Sequence, residues 1–214
     1  MGMQSVSLKN RMYLALIQDI YDVSTACGTR TYVWGGFVPD ILSGRFRREH
    51  GDLDGFTQDM LAVLDRLTAL YGERGYETVY LEDVHMLQIY KGDVHAVFNR
   101  LDIDNGIAMW RHIGEQGTVY FPAAWLDTVP RLFYGTRVYT SGIRFEYAIK
   151  TCPRLLSPEW SPKDCETLEY FNREIQRLGM QPEDIHRQIW SRSPCWAERG
   201  YEEYSRIIYG RDST

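Results

Sequence analysis

The sequence predicts an α+β protein with a mixed sheet and a helical C-terminal part. Apolar residues recur at helical spacing near the N-terminus, strand-like runs divided by turn signals fill the middle, and helical spacing returns after residue 141. The resulting order of helix, strand, helix, several strands and further helices is that of an α+β fold.

The first elements are a long helix and a short strand. Residues 8–26 carry apolar side chains at helical spacing, and Gly28 follows as a stop. Residues 31–36 are a β-branched and aromatic run that ends in two glycines, which predicts a strand entering a tight turn. We expect a short helix over 38–42 and a longer one over 57–71.

Strand-like runs occupy residues 76 to about 140, and several are close enough in sequence to pair as hairpins. The runs are 76–83, 85–90, 93–99, 118–122 and 136–140. Beyond them, Ser161 is a helix cap and Pro162 a first helical residue, so a helix is predicted to start there. The tail over 181–209 is also predicted to be helical.

Size and composition exclude several classes of protein. The chain has 214 residues, enough for one domain or one with a small addition. With 44% hydrophobic and 25% charged residues it is neither disordered nor a coiled coil. A net charge of −5 offers no basic surface for nucleic acid. Four widely spaced cysteines and the lack of an apolar leader or membrane segment predict a cytoplasmic protein without a membrane contact.

The most informative stretch is residues 32–56. Gly35 and Gly36 end a strand and open a helix, where backbone N–H groups can cradle a phosphate. Asp52 and Asp54 lie two apart, so on a strand both carboxylates point to one face and form a hard-oxygen site for Mg²⁺ bound to phosphates. Either pair alone is more often a turn or a solvated loop. Together, at this separation, they favour a phosphate and metal site.

This stretch resembles the active-site signature of the polymerase-β-like nucleotidyltransferase superfamily, and within it most closely the lincosamide and aminoglycoside nucleotidyltransferases that modify antibiotics. The residues that carry the resemblance are Gly35, Gly36, Asp40, Gly44, Arg48, His50, Asp52 and Asp54. The order of elements extends it over residues 12–175, although only 32–56 is specific. The resemblance implies a nucleotidyltransferase fold with a mixed, mostly antiparallel sheet flanked by helices.

The resemblance also implies a third carboxylate on a later strand, commonly as Asp-aliphatic-His. Asp93, Val94 and His95 supply this order. The competing pair is Asp102 and Asp104, which runs directly into Asn-Gly, a strong hairpin signal. We therefore expect Asp102 and Asp104 to be hairpin-turn residues and Asp93 to be the third acid.

The activity implied is transfer of a nucleoside monophosphate, AMP from ATP, to a hydroxyl of a small molecule with release of pyrophosphate. Asp52, Asp54 and Asp93 are the implied catalytic residues and ligands of two Mg²⁺ ions, with Asp93 as general base. The residues implied to bind the nucleotide are Gly35, Gly36, Arg48, His50 and Lys150. A structural salt bridge is the alternative role for Arg48, and a solvated helix end is that for Lys150.

Residues 1–140 are expected to form the catalytic domain, and residues 141–214 a helical region that packs on it and forms part of the acceptor site. One departure from the family is Gly55, which follows Asp54 where relatives place a β-branched residue. We expect the strand to kink at this glycine.

Three other functions stay open. A toxin-type nucleotidyltransferase would act on tRNA or protein, although the negative charge counts against tRNA. A metal-dependent hydrolase would use His50, Asp52, Asp54 and His95 around a dinuclear centre, which leaves the paired glycines unexplained. A degenerate module would only bind nucleotide, and the presence of three acids argues against it.

Overall fold

The computed structural model describes residues 6–115, 117–151 and 162–192. Its helices are α1 (Leu8–Ala26), α2 (Val38–Ser43), α3 (Met60–Glu73), α4 (Gly142–Thr151), α5 (Pro162–Arg177) and α6 (Pro182–His186). Its strands are β1 (Thr31–Trp34), β2 (Leu53–Gln58), β3 (Glu77–Leu81), β4 (Met86–Lys91), β5 (Val94–Asp104), β6 (Ile107–Glu115), β7 (Gly117–Pro122), β8 (Arg131–Phe133), β9 (Thr136–Thr140) and β10 (Trp190–Arg192). None of these helices has the length and hydropathy that crossing a membrane requires.

The strands form one sheet in the order β10-β7-β6-β5-β2-β1-β9-β8, with β4 paired to β5 and β3 paired to β4. The β1–β9 and β2–β5 pairs are parallel, and the other pairs are antiparallel. The predicted α+β class with a mixed, mostly antiparallel sheet flanked by helices is therefore confirmed.

Two large apolar clusters lie on opposite faces of the sheet, since alternate residues of β2 point to opposite faces, and a small third cluster contains Val84 and Met86. Leu53 belongs to the cluster that packs α1 and α3 onto one face. Phe56 belongs to the other cluster, which includes Phe145 of α4 and Phe171 of α5. Asp54 has the same parity as Phe56 and so lies on the face that carries the second cluster.

The predicted kink at Gly55 is wrong. Gly55 pairs with Val33 on one side and Phe98 on the other, so β2 runs unbroken between two neighbours. A Cβ at this position would lie 2.8 Å from Cδ1 of Phe98 and 3.2 Å from Cγ2 of Thr31. The glycine therefore makes room for a buried aromatic ring rather than bending the strand.

The helix predicted over 57–71 begins later, at Met60. Thr57 and Gln58 complete β2 because their neighbours on both β1 and β5 continue the ladder. Asp59 then adopts a left-handed conformation, with φ of 50°, between the strand and the helix. The helical spacing of the apolar residues gave no indication that Thr57 and Gln58 belong to the preceding strand.

Asp102 and Asp104 lie in β5 and not in the hairpin turn, which corrects that expectation. The turn consists of Asn105 and Gly106, both with positive φ. Asp102 accepts hydrogen bonds from Arg100 and Arg111 on the sheet. These contacts give the side chain a structural role within the sheet.

The tail predicted to be helical over 181–209 is partly a strand. After α6, residues Trp190–Arg192 pair antiparallel with β7, and the indole of Trp190 stacks on Tyr120 with the ring centroids 5.4 Å apart. An aromatic residue at a sheet edge gains contact area there that a short polar helix does not offer. Residues 193–209 of the predicted tail, and the Ser161 cap, lie outside the described residues.

The junction of β9 and α4 depends on Gly142. Its φ is +76°, and a Cβ would lie 2.2 Å from the backbone oxygen of Trp125. We expect Gly142→Ala to lower the free energy of unfolding by about 1–3 kcal/mol more than Gly28→Ala, because overpacking against backbone forces the chain to move. Gly28 is the matched control, with φ of +74° and open space at its Cβ position. Equal losses in urea unfolding would contradict this contact.

Candidate functional site

The topology gathers several candidate functional segments where the strands end on one side of the sheet, at the C-terminal end of β1. Trp34, at the end of β1, pairs with Asp54 near the start of β2, because these strands are antiparallel. β9 runs parallel to β1, so α4 also begins at this end of the strands. The glycine turn, the acidic pair and α4 therefore meet there.

A cavity of about 170 Å³ opens at this end of the strands. It brings together all of the predicted site residues except Asp93, namely Gly35, Gly36, Arg48, His50, Asp52, Asp54 and Lys150. Trp34, Phe37 and Thr167, which were not predicted, also line it. Because sites for whole drug-sized ligands are larger, a cavity of this volume suits part of a nucleotide, such as its phosphates.

The paired glycines allow close approach of side chains to the backbone. Gly35 has φ of +76°, and a Cβ there would lie 3.1 Å from Oδ2 of Asp54. A Cβ on Gly36 would lie 2.6 Å from Nη2 of Arg48. The N–H of Gly35 donates to Oε1 of Glu146 at 2.9 Å, so this donor is used within the protein. Gly35 thus shapes the turn, and its own N–H is occupied by Glu146.

His50 is held in place by Asp40 of α2. The ring of His50 stacks on Phe37 with a centroid distance of 3.7 Å, and its Nε2 lies 2.8 Å from Oδ2 of Asp40. Asp40 is fully buried and also accepts from the Nε and the backbone N–H of Arg47. The carboxylate fixes the imidazole so that Nδ1 faces Gly36, 3.6 Å from the position of a Cβ there.

Arg48 reaches the glycine turn from the loop that precedes β2. Its Nη1 donates to the backbone oxygen of Glu49 at 3.0 Å. Its Nε is buried and has no hydrogen-bond partner among the described residues. Together with Lys150 it gives the cavity two basic side chains beside the carboxylates of Asp52 and Asp54.

The charge of Asp52 and Asp54 extends to neighbouring side chains. Burial raises the pKa of Tyr13 to about 12, and the two carboxylates add to the increase. Burial lowers the pKa of His95, and the charge of Asp52 opposes this change. Asp52 therefore lies near both α1 and the start of β5.

The donor set suits a metal that is bound together with a phosphate. In the part of the chain that the structure describes, no group of three His, Cys, Asp or Glu side chains is arranged to hold a metal ion. Mg²⁺ commonly takes only one or two carboxylates and completes its shell with water and substrate phosphates. The pair of Asp52 and Asp54 meets that requirement in chemical type and number.

Asp93 lies outside this cavity. It occupies the turn between β4 and β5, is exposed, and lines a second cavity of about 450 Å³ with Leu8, Lys9, Met12 and Glu49. It stands three residues before Ala96, which pairs with Leu53 of β2. Asp93 is thus at the same end of the sheet as the acidic pair but in the neighbouring cavity.

Glu146 was not predicted as a site residue. It is fully buried in α4, and its Oε1 accepts from the Gly35 N–H and from the Ser141 hydroxyl at 2.9 and 2.6 Å. Burial raises the pKa of Glu146 to about 7, although both hydrogen bonds and the charge of Lys150 act in the opposite direction. The sequence signal that could have indicated a buried site residue is that Glu146 is the single acid in the helix that starts at Gly142.

Sequence comparisons give no match to any family model or curated protein. The fold matches solved structures. An antibiotic-resistance factor, ANT(2″)-Ia, in solution is 17% identical, with 94% of this chain and 97% of that chain covered and a TM-score of 0.59. Its crystal structure with adenylyl-2″-tobramycin is 18% identical, with 83% of this chain and 94% of that chain covered and a TM-score of 0.57.

The lincosamide antibiotic adenylyltransferase LnuA, with lincomycin bound, is 13% identical over 79% of this chain and 98% of that chain, with a TM-score of 0.57. These proteins are of the two kinds that residues 32–56 resemble. The structural likeness extends well beyond that stretch, since it covers 79–94% of this chain. The chain therefore has the fold of the lincosamide and aminoglycoside nucleotidyltransferases.

Proposed function

We propose that the protein is a nucleotidyltransferase that moves a nucleoside monophosphate, AMP from ATP, to a hydroxyl of a small molecule. The observation that carries this proposal is the pocket that Asp52, Asp54, Arg48 and Lys150 line together with the glycine turn. Cations and a glycine turn bind phosphates, and paired carboxylates bind the accompanying Mg²⁺. A simple binding loop does not require the paired carboxylates, and a solvated acidic pair does not require the cations and the glycine turn.

In the proposed reaction the acceptor oxygen forms a bond to the α-phosphorus, the bond from that phosphorus to the bridging oxygen breaks, and pyrophosphate leaves. Arg48 and Lys150 bind the phosphates and stabilise the charge that develops on the leaving pyrophosphate. Asp52 and Asp54 would hold Mg²⁺, which supplies charge neutralisation at the phosphates when it is bound. His50, oriented by Asp40, presents Nδ1 to the same turn.

We propose a small-molecule acceptor of the antibiotic type, bound partly by the region after residue 141. One structural neighbour holds adenylyl-2″-tobramycin and another holds lincomycin. Helices α4 and α5 contribute Lys150 and Thr167 to the pocket, so the C-terminal region borders the reacting groups. A cytoplasmic location belongs to the same proposal.

Binding of ATP is the first test. With Mg²⁺ and ATP at about 100 times the dissociation constant, we expect stabilisation by about 2.7 kcal/mol, which raises the melting temperature by about 5–10 °C. Mg²⁺ alone is the control and should give a much smaller shift. An unchanged melting temperature would rule out the transferase.

Pyrophosphate release then identifies the acceptor class. The panel contains aminoglycosides, lincosamides, nucleosides, tRNA and a protein mixture, each with ATP and Mg²⁺. Release with a small molecule supports the proposal, and release only with tRNA or protein indicates a toxin-type enzyme. ATP binding without release across the panel indicates a degenerate nucleotide-binding module.

We also propose Asp93 as the third carboxylate and general base. A base acts on the acceptor and not on the nucleotide, so a place in a second cavity at the same end of the sheet as the acidic pair suits that role. We expect Asp93→Asn to lower pyrophosphate release by at least about 100-fold. Asp104→Asn, an exposed acid at the other end of β5, is the control and should stay near wild type. The reverse pattern would assign the third acid to the far end of β5.

A further inference from the structure

A buried carboxylate lies directly behind the glycine turn. Oε1 of Glu146 accepts from the Gly35 N–H at 2.9 Å and from the Ser141 hydroxyl at 2.6 Å. Its other oxygen, Oε2, is buried and accepts no hydrogen bond from the part of the chain that the structure describes. One oxygen of this carboxyl is therefore fully used, and the second is available to carry a proton.

The hydrogen bond to Glu146 fixes the conformation of the turn. Gly35 has φ of +76°, and Trp34, which precedes it, provides no side-chain cap for the turn. Glu146 supplies the acceptor instead, from a helix that begins more than 100 residues later, and Ser141 holds the carboxyl in position. The orientation of Gly36 toward the pocket thus depends on the side chain of Glu146.

The charges around Glu146 have opposite signs. Lys150 follows one helical turn later on α4, lines the pocket, and its positive charge favours the ionised carboxyl. Asp54 of β2 lies across Gly35, with Oδ2 3.1 Å from the position of a Cβ there. Other titratable groups on elements packed against α4 include Asp40, which pairs with Arg47 and His50, Tyr170 on α5 and His186 on α6.

We propose that Glu146 positions the glycine turn for the triphosphate, and that triphosphate binding there loads a proton from solvent onto Oε2 of this carboxyl. The inference rests on the proposed nucleotide site. A bound triphosphate brings negative charge to the turn and attracts the ammonium of Lys150, and both effects disfavour an ionised Glu146. A proton on Oε2 leaves both hydrogen bonds to Oε1 in place.

Burial already raises the pKa of Glu146 to about 7 in the free protein, so a small further change alters its protonation at neutral pH. By linkage, uptake of a proton on binding means that the affinity for ATP falls as pH rises. An increase of one unit in the pKa of Glu146 on binding corresponds to an affinity about sevenfold lower at pH 8.5 than at pH 6.

The test is calorimetric titration of ATP, with Mg²⁺ in excess, at pH 7.5 in two buffers of different ionisation enthalpy. The wild-type protein is expected to take up protons on binding. Glu146→Gln keeps an oxygen acceptor for Gly35 and Ser141 but cannot titrate, so it should bind ATP and take up fewer protons. Glu169→Gln changes an exposed acid on α5 and should match the wild type.

Equal proton uptake in the wild type and Glu146→Gln overturns the inference while the nucleotide site stands. No binding of ATP by the wild type removes the proposed function and this inference with it. If Glu146→Gln does not fold, the Gly35 amide resonance of the wild type is followed against pH. Its titration midpoint should move to higher pH when ATP and Mg²⁺ are added, and an unchanged midpoint is the contrary result.

Discussion

Asp54→Asn is expected to lower the rate of pyrophosphate release by at least about a thousandfold. Metal-bound charge stabilisation in phosphoryl transfer contributes several kcal/mol, and each 1.36 kcal/mol corresponds to a factor of ten in rate. Asn has the shape of Asp but lacks its charge, so the close approach to Gly35 is preserved while the pair with Asp52 becomes a single carboxylate. Steady-state assays at saturating ATP measure the effect.

The matched control is Asp65→Asn, an exposed acid on α3. It should change neither the rate nor the melting temperature appreciably. The melting temperature of Asp54→Asn without ligand separates lost chemistry from lost folding, because only the ligand-induced increase should shrink. A rate within tenfold of the wild type would show that the acidic pair is not the metal site.

The free energy of unfolding of the wild type is expected to decrease, relative to Glu146→Gln, by about 2–3 kcal/mol between pH 5 and pH 8. Burial raises the pKa of Glu146 to about 7, from an ordinary value of 4.5. At pH values between 4.5 and about 7, Glu146 is protonated more often in the folded protein than in the unfolded chain. The stability of the protein is therefore greatest below the unfolded pKa and is lost as pH rises through the folded one.

Urea unfolding at several pH values measures this difference. The Gln side chain does not titrate, so the stability difference between the two proteins should vary with pH while other groups cancel. Glu169→Gln, exposed on α5, should give a curve parallel to that of the wild type. A difference between wild type and Glu146→Gln that is constant from pH 5 to pH 8 would contradict the burial of an ionisable Glu146.

Local signals predicted the N-terminal half of the site well. Helix α1, strand β1, the glycine turn and α2 occur where spacing and turn residues indicate them, because each depends on neighbours close in sequence. The approach of Asp52 and Asp54 to the glycines is a consequence of the β1–β2 pair, which joins residues about twenty apart. The resemblance of residues 32–56 covers the same local unit.

Features that depend on distant partners were missed. Glu146 is a site residue only because β9 lies beside β1, a pairing that brings α4 under the turn. Gly55 was expected to bend the strand because the ring of Phe98 that needs its space comes from another strand. Strand β10 likewise exists only as the partner of β7. Spacing within one segment does not contain such information.

The hydrogen bond between Gly35 and Glu146 also bears on how the molecule folds. It joins residues 111 positions apart, so the chain must close a long loop before either group gains its partner. The entropy of closing that loop is lost before the contact returns any free energy, which makes such contacts slow to form. The glycine turn can therefore adopt its final geometry only after β9 has docked on β1. A nascent chain that ends before α4 carries the complete acidic motif and no finished site.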